Sequence, residues 1–230
     1  MTFEKISNLT QLFKKTFEYS PVSFRAGRFG IGSNSLLILN KLGYLVDSSI
    51  YPFSIIQTKE KSYNFCYYPI QPYFPDLRDP SQTALKESET ILEVPLTIRS
   101  KFFQSLPSRI GRKISDSSLL TGLLSKVLGK NYVKTFSLRP STNSYKLLLN
   151  IADFHIRNVK RSQDVYLNLM FHSNEIIEGA SPYCQTESEI ELFLRNLNLF
   201  FSHIKKNNIK FIKLKDTYFL FKEQVGENNV

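Results

Sequence analysis

Two cysteines and three histidines in 230 residues leave little for metal or disulfide chemistry to use. Cys66 and Cys184 stand far apart with no C-x-x-C spacing, which points away from a zinc site or a disulfide framework and toward ordinary thiols. His155 and His203 each fall inside an amphipathic helical pattern and read as helix residues, and no His-x-His or His-x-x-x-His pair occurs. There is no G-x-S-x-G elbow for an acyl-enzyme, and Gly27-Arg-Phe-Gly-Ile-Gly32 matches neither G-x-G-x-x-G nor a P-loop. No apolar run reaches the roughly 18 residues that cross a bilayer, and the start lacks a charged-then-apolar leader pattern. The expectation is a cytoplasmic chain without a membrane span. Internal repeats and low-complexity linkers are also missing.

What is present is an ample core: 42% of the residues are hydrophobic and 13% of the chain is aromatic, in a length sufficient for one large domain. The formal charge of +10 invites a nucleic-acid reading. The basic residues are scattered, however, and no RNP, zinc-finger or basic-helix motif accompanies them, so no nucleic-acid partner is expected.

Along the chain, residues 3 to 19 place Phe3, Ile6, Leu9, Leu12, Phe13 and Phe17 on one helical face. Pro21 to Arg25 reads as a short strand, and Gly27, Gly30 and Gly32 allow a tight loop after it. Ser33 caps a helix that stops at Gly43, and Tyr44 to Ser49 is the next strand, with Asp47 near its end. Residues 50 to 90 hold five of the ten prolines and predict a long aromatic excursion without regular elements. Ile91 to Ile98 reads as a strand carrying Glu93, with Pro95 arguing for an edge or bulge. Ser115 or Asp116 opens a helix ending at Gly129, Val133 to Pro140 is strand-like and ends in Arg139, and Ser141 or Thr142 opens another helix.

Val165-Tyr-Leu-Asn-Leu-Met-Phe171 predicts a strand buried on both faces that ends at His172. Thr186-Glu-Ser-Glu189 is a capping box before a long helix, Ile209 to Leu214 a last strand, and residues 222 to 230 a polar tail. About six strands alternating with helices predict an α/β fold, either a mostly parallel sheet or an incomplete (β/α) barrel in one domain spanning 1–230. If the strands are parallel, Arg25, Asp47, Glu93, Arg139 and His172 belong to one rim. Such a set can move protons and hold an oxyanion, which suits amide or ester hydrolysis, but it lacks an evident nucleophile and a full zinc ligand set.

Four ordered segments, Phe24-Arg-Ala-Gly-Arg-Phe-Gly30, Val46-Asp-Ser-Ser-Ile-Tyr-Pro52, Ile91-Leu-Glu-Val-Pro-Leu96 and Leu169-Met-Phe-His-Ser-Asn-Glu175, resemble the later motifs of polysaccharide deacetylases with the NodB homology domain, carbohydrate esterase family 4. Gly179-Ala-Ser-Pro-Tyr183 resembles members associated with surface polysaccharides. The resemblance implies a distorted (β/α) barrel that hydrolyses N-acetyl groups of a surface polysaccharide or its glycan precursor. In its terms Arg25 braces the catalytic carboxylate, Asp47 with Ser48 and Ser49 forms the groove motif, and His172 is the general acid toward the leaving amine. Arg28, Glu93, Arg139 and Glu175 would serve the substrate.

A complete family member begins with paired aspartates and a His-x-x-x-His-type motif that hold a divalent, zinc-like metal, and this sequence contains neither. The resemblance therefore covers the carboxyl-terminal two thirds of the domain and implies a truncated, split or degenerate member, nearly inactive alone, or one completed by a separate chain supplying the missing strands. The alternative is a non-catalytic glycan-binding or assembly subunit, with Tyr63, Phe65, Tyr67, Tyr68 and Tyr73 as stacking rings for sugars.

Overall fold

The computed structural model describes residues 2–57, 62–84, 90–115, 117–128, 134–159, 163–207 and 209–227. Asp116, Gly129 and Val133, named above as helix and strand limits, lie outside the described residues. The chain is mixed α/β and divides into two compact units. The first comprises 1–95, 100–134 and 212–230, and the second 96–99 and 135–211.

In the first unit, β1 (Ser23–Phe24), β2 (Val46–Asp47) and β5 (Leu92–Glu93) form a parallel sheet in the order β1-β2-β5. The register aligns Phe24, Asp47 and Glu93 across the three strands. Ladder bonds continue past the paired residues, with Ser48 N–H donating to Phe24 O at 3.0 Å and Val94 N–H to Asp47 O at 2.8 Å. Two apolar clusters hold this sheet. One gathers Ile6, Leu36, Leu39, Tyr44, Ile50, Phe65 and Ile91, and the other Val46, Phe74, Leu92, Val94 and Tyr218. Ile6 comes from the opening helix Phe3–Phe17, and Leu36 and Leu39 from the helix Ser33–Lys41.

Several expectations are corrected here. The 50–90 excursion contains an antiparallel pair, β3 (Ile55–Gln57) with β4 (Ser62–Asn64), in the register Ile55 to Asn64, Ile56 to Tyr63 and Gln57 to Ser62. Residues 222–227 of the polar tail belong to a helix, Thr217–Glu227, whose Tyr218 and Phe221 dock on the ring of Phe74 at 5.9 and 5.7 Å. Ser108–Ser115 forms a helix that the sequence reading passed over, followed by Ser118–Leu128 with Ser117 Oγ accepting Leu120 N–H at 3.3 Å. The glycine-rich loop works differently as well. Its left-handed residues are Arg28 (φ 54°) and Phe29 (φ 56°), not the glycines.

In the second unit the helices Tyr145–Asn158 and Glu187–Lys206 enclose Leu138, Leu148, Ile151, Ala152, Phe200 and Ile204. The capping box is as the sequence implies: Thr186 Oγ1 accepts Glu189 N–H at 3.3 Å, and Glu189 Oε2 accepts Thr186 N–H at 3.1 Å. β6 (Ile98–Ser100) pairs with β7 (Thr135–Ser137) apart from the parallel sheet. Pro95 lies between β5 and β6, where its missing N–H interrupts any continuous ladder. Residues 165–171 are not a doubly buried strand. Only Met170 is fully buried, and the segment forms no ladder: Asn168 N–H donates to Thr97 Oγ1 at 2.7 Å, Thr97 N–H to Asn168 O at 3.2 Å and Met170 N–H to Leu138 O at 3.2 Å. Residues 209–213 likewise form no strand and lead into a 3-10 turn, Leu214–Asp216.

Candidate functional site

Arg25 follows β1, Asp47 ends β2 and Glu93 ends β5, so three of the five predicted rim residues sit at the carboxyl ends of adjacent parallel strands. That edge is where α/β sheets collect ligand-binding groups. The Arg25 guanidinium is half-buried and donates from Nε to Ser48 O at 2.9 Å and from a terminal nitrogen to Ser48 Oγ at 2.8 Å. Burial draws its pKa below the ordinary value, against the pull of Asp47 and Glu93. Ser48 and Ser49 are buried with it, and Ser49 Oγ accepts Ala26 N–H at 2.8 Å, locking the turn after β1 to the turn after β2.

Asp47 and Glu93 are both 0% exposed. Asp47 accepts Ser49 N–H at 3.0 Å on one oxygen and the Ser49 hydroxyl at 2.8 Å on the other. Glu93 Oε1 accepts Ile50 N–H at 3.1 Å, while Oε2 has no conventional donor. The two carboxyl-bearing residues are cross-strand partners in the parallel register. Burial raises the pKa of each, and the adjacent Asp47 charge lifts Glu93 further, well above the carboxylate range. Two neighbouring buried carboxyls oppose each other's ionisation, so uptake of one shared proton by the pair is favoured, with Glu93 the more strongly shifted member. Tyr73 closes the floor. Its backbone exchanges bonds of 3.1 and 3.0 Å with Glu93, and its hydroxyl donates to Pro80 O at 2.7 Å. Burial, then the Glu93 charge, push its phenol pKa well up.

The arrangement differs from the sequence expectation in one chemical respect. With no exposed oxygen, Asp47 and Glu93 orient the Arg25–Ser48–Ser49 turn and do not themselves meet solvent, whereas Arg25 does. Among the described residues no group of three or more His, Cys, Asp or Glu is placed to hold a metal ion, and both Asp47 oxygens are already engaged. The described residues at this turn do not make up a zinc-like ligand set. Arg28 is exposed in its left-handed conformation beside this turn, a backbone state that costs about 1–3 kcal/mol and collects at functional sites.

The remaining predicted residues belong to the second unit. Arg139 pairs with buried Glu175, donates from Nε to Ser141 Oγ at 3.1 Å and lies 4.1 Å over the Tyr183 ring. Burial would raise the Glu175 pKa, but hydrogen bonds from Ser141, Arg139 and the His172 N–H outweigh it and lower the value. Glu93 and Arg139, expected on one rim, instead have separate neighbours, Asp47 for Glu93 and Glu175 for Arg139. His172 is exposed and starts the 3-10 turn Ser173–Ile176, its backbone held by Glu175 at 3.1 Å.

The proposed sugar-stacking rings are committed to packing. Tyr68 meets Phe65 edge-on at 5.1 Å, Tyr63 stacks on Phe65 at 6.1 Å, and Tyr67 meets Phe103 at 6.3 Å. A cavity of about 320 Å³ lies next to Tyr73, between Pro69, Pro72, Phe74, Phe221 and Val225, and its lining is mostly apolar. His155, which sequence reasoning set aside, is fully buried with Nε2 donating to Ile98 O at 2.9 Å, a structural role that its position within the helix's apolar stripe could have indicated. No family model, curated protein or solved structure matches this chain.

Proposed function

We propose that the chain is of the polysaccharide deacetylase type, directed at the N-acetyl amide of a surface polysaccharide or its glycan precursor through the Arg25 turn of the first unit. The observation that carries this reading is the buried Asp47–Glu93 carboxyl pair holding a half-buried arginine at the ends of three parallel strands. A guanidinium fixed this way offers N–H donors and positive charge to an amide carbonyl, the group on which negative charge develops during hydrolysis. The buried pair keeps it oriented while its single shared proton leaves one net negative charge to balance the arginine.

The motif resemblance alone assigns His172, in the second unit, the general-acid role toward the leaving amine. No step is routed through a metal, and because the sequence lacks the paired aspartates and the His-x-x-x-His motif, the chain alone is expected to release acetate slowly if at all. A barrel and a completing chain belong to the same proposal. Saturation-transfer NMR with N-acetylated and fully deacetylated chitooligosaccharides tests it. The expected result is transfer to the acetyl methyl, lost in Arg25→Ala. Equal transfer to both oligosaccharides, or none, would end this reading.

A further inference from the structure

We propose that the helix Ser118–Leu128, with the helix before it, is a docking surface for an anionic lipid bilayer. The inference is independent of the reading of the Arg25 turn. Leu119, Leu120, Leu123, Leu124, Val127 and Leu128 occupy one half of the helix when placed at 100° per residue, and Thr121, Ser125 and Lys126 the other. In a globular protein such a half faces the core. Here Leu119 is 85% and Val127 72% exposed, and Leu120, Leu123 and Leu128 are exposed with them. Ile110 of the preceding helix is exposed as well. A contiguous apolar surface of this kind marks a binding face, whereas single exposed leucines do not.

Charge identifies the occupant. Residues 101–134 contain seven basic residues, Lys101, Arg109, Arg112, Lys113, Lys126, Lys130 and Lys134, against one acidic residue, Asp116. That is six of the chain's ten net positive charges in about one seventh of its length. Lys101, Lys113, Lys126 and Lys134 are exposed, and Lys126 flanks the leucine half one turn from Leu123. An apolar helix face bordered by lysine is the pattern that lies in the headgroup layer of a membrane, apolar side down, with basic groups on anionic lipid. A second copy of the chain would bring the same positive segment against itself, which charge repulsion opposes. At 11 residues the helix is about 16 Å long, enough to lie on a bilayer and not to cross it.

Flotation of the full chain with phosphatidylcholine vesicles, with and without phosphatidylglycerol, tests the proposal. Binding is expected only with phosphatidylglycerol, weakened by salt. Lys113→Gln with Lys126→Gln should reduce it roughly 25-fold, taking about fivefold per basic residue. Leu119→Glu with Leu123→Glu should abolish it while circular dichroism stays unchanged, and Leu119→Gln alone, at the most exposed position, should weaken it if the double variant fails to fold. Absence of phosphatidylglycerol-dependent flotation, or undiminished flotation of the folded leucine variants, overturns the proposal. So does gel filtration showing a dimer that these variants dissociate, because the face would then join two copies.

Discussion

Glu93→Ala and Glu93→Gln should part company sharply, because the structure gives Glu93 two hydrogen-bonding duties that glutamine can perform and alanine cannot. The glutamine oxygen accepts the Ile50 N–H in place of Oε1, and its amide donates toward Asp47 in place of the shared proton. Alanine leaves a buried N–H and a buried carboxylate each without its partner, at about 1–3 kcal/mol apiece, so a loss of about 3 kcal/mol is expected. For a chain of this size that lowers Tm by roughly 6–12 °C.

The pH dependence supplies a second axis. Both carboxyls have folded pKa values above their unfolded ones, so the wild type keeps their full contribution below the ordinary carboxylic range and loses stability as pH rises through the folded values. The limiting loss is about 1.4 kcal/mol per pH unit for each proton released. Glu93→Gln removes the more strongly shifted group and should match the wild type near pH 5 while surpassing it at higher pH. Thermal melts from pH 5 to 9, with amide exchange of Ile50 as the local probe, measure both effects. Equal melting of the two variants at every pH would refute the shared-proton arrangement, as would a wild type that gains on Glu93→Gln as pH rises.

A double-mutant cycle on Arg139→Ala and Glu175→Ala should return a coupling of about 0.5–3 kcal/mol, whereas Arg139 with Glu93 should return additivity, read from urea melts. Gly111→Ala should destabilise the chain by about 1–3 kcal/mol in the same assay, because the new methyl would lie 1.2 Å from the Tyr67 hydroxyl, and Tyr67→Leu should relieve the clash. Burial lowers the His155 pKa below its ordinary 6.5, so the fold favours the neutral ring. That contribution is complete above pH 6.5 and is lost as pH falls toward the folded value. His155→Phe should therefore flatten stability between pH 7 and 5, and an NMR titration of His155 at or above 6.5 would contradict the burial argument.

Much of this was legible in the sequence where local chemistry decides structure. Periodicity located the helices at 3–17, 33–41 and 187–206, and Thr186-Glu-Ser-Glu189 specified its own cap. Apolar runs carrying Arg25, Asp47 and Glu93 located three strands that the parallel register brings side by side, although the run from Ile91 to Ile98 stops pairing in that sheet after Glu93. Periodicity could not say which runs would find a ladder. Val165 to Phe171 is as apolar as any strand here, yet strand formation requires partners on its edges, and these come from residues distant in sequence. Nor could it assign the partner of a buried charge: Glu93 meets Asp47 and Arg139 meets Glu175 because the fold brings those positions within hydrogen-bond reach. The leucines of 118–128 make the same point. Their spacing fixes a helix through i to i+4 bonding within one segment, but whether that apolar half is buried depends on what the rest of the chain packs against it.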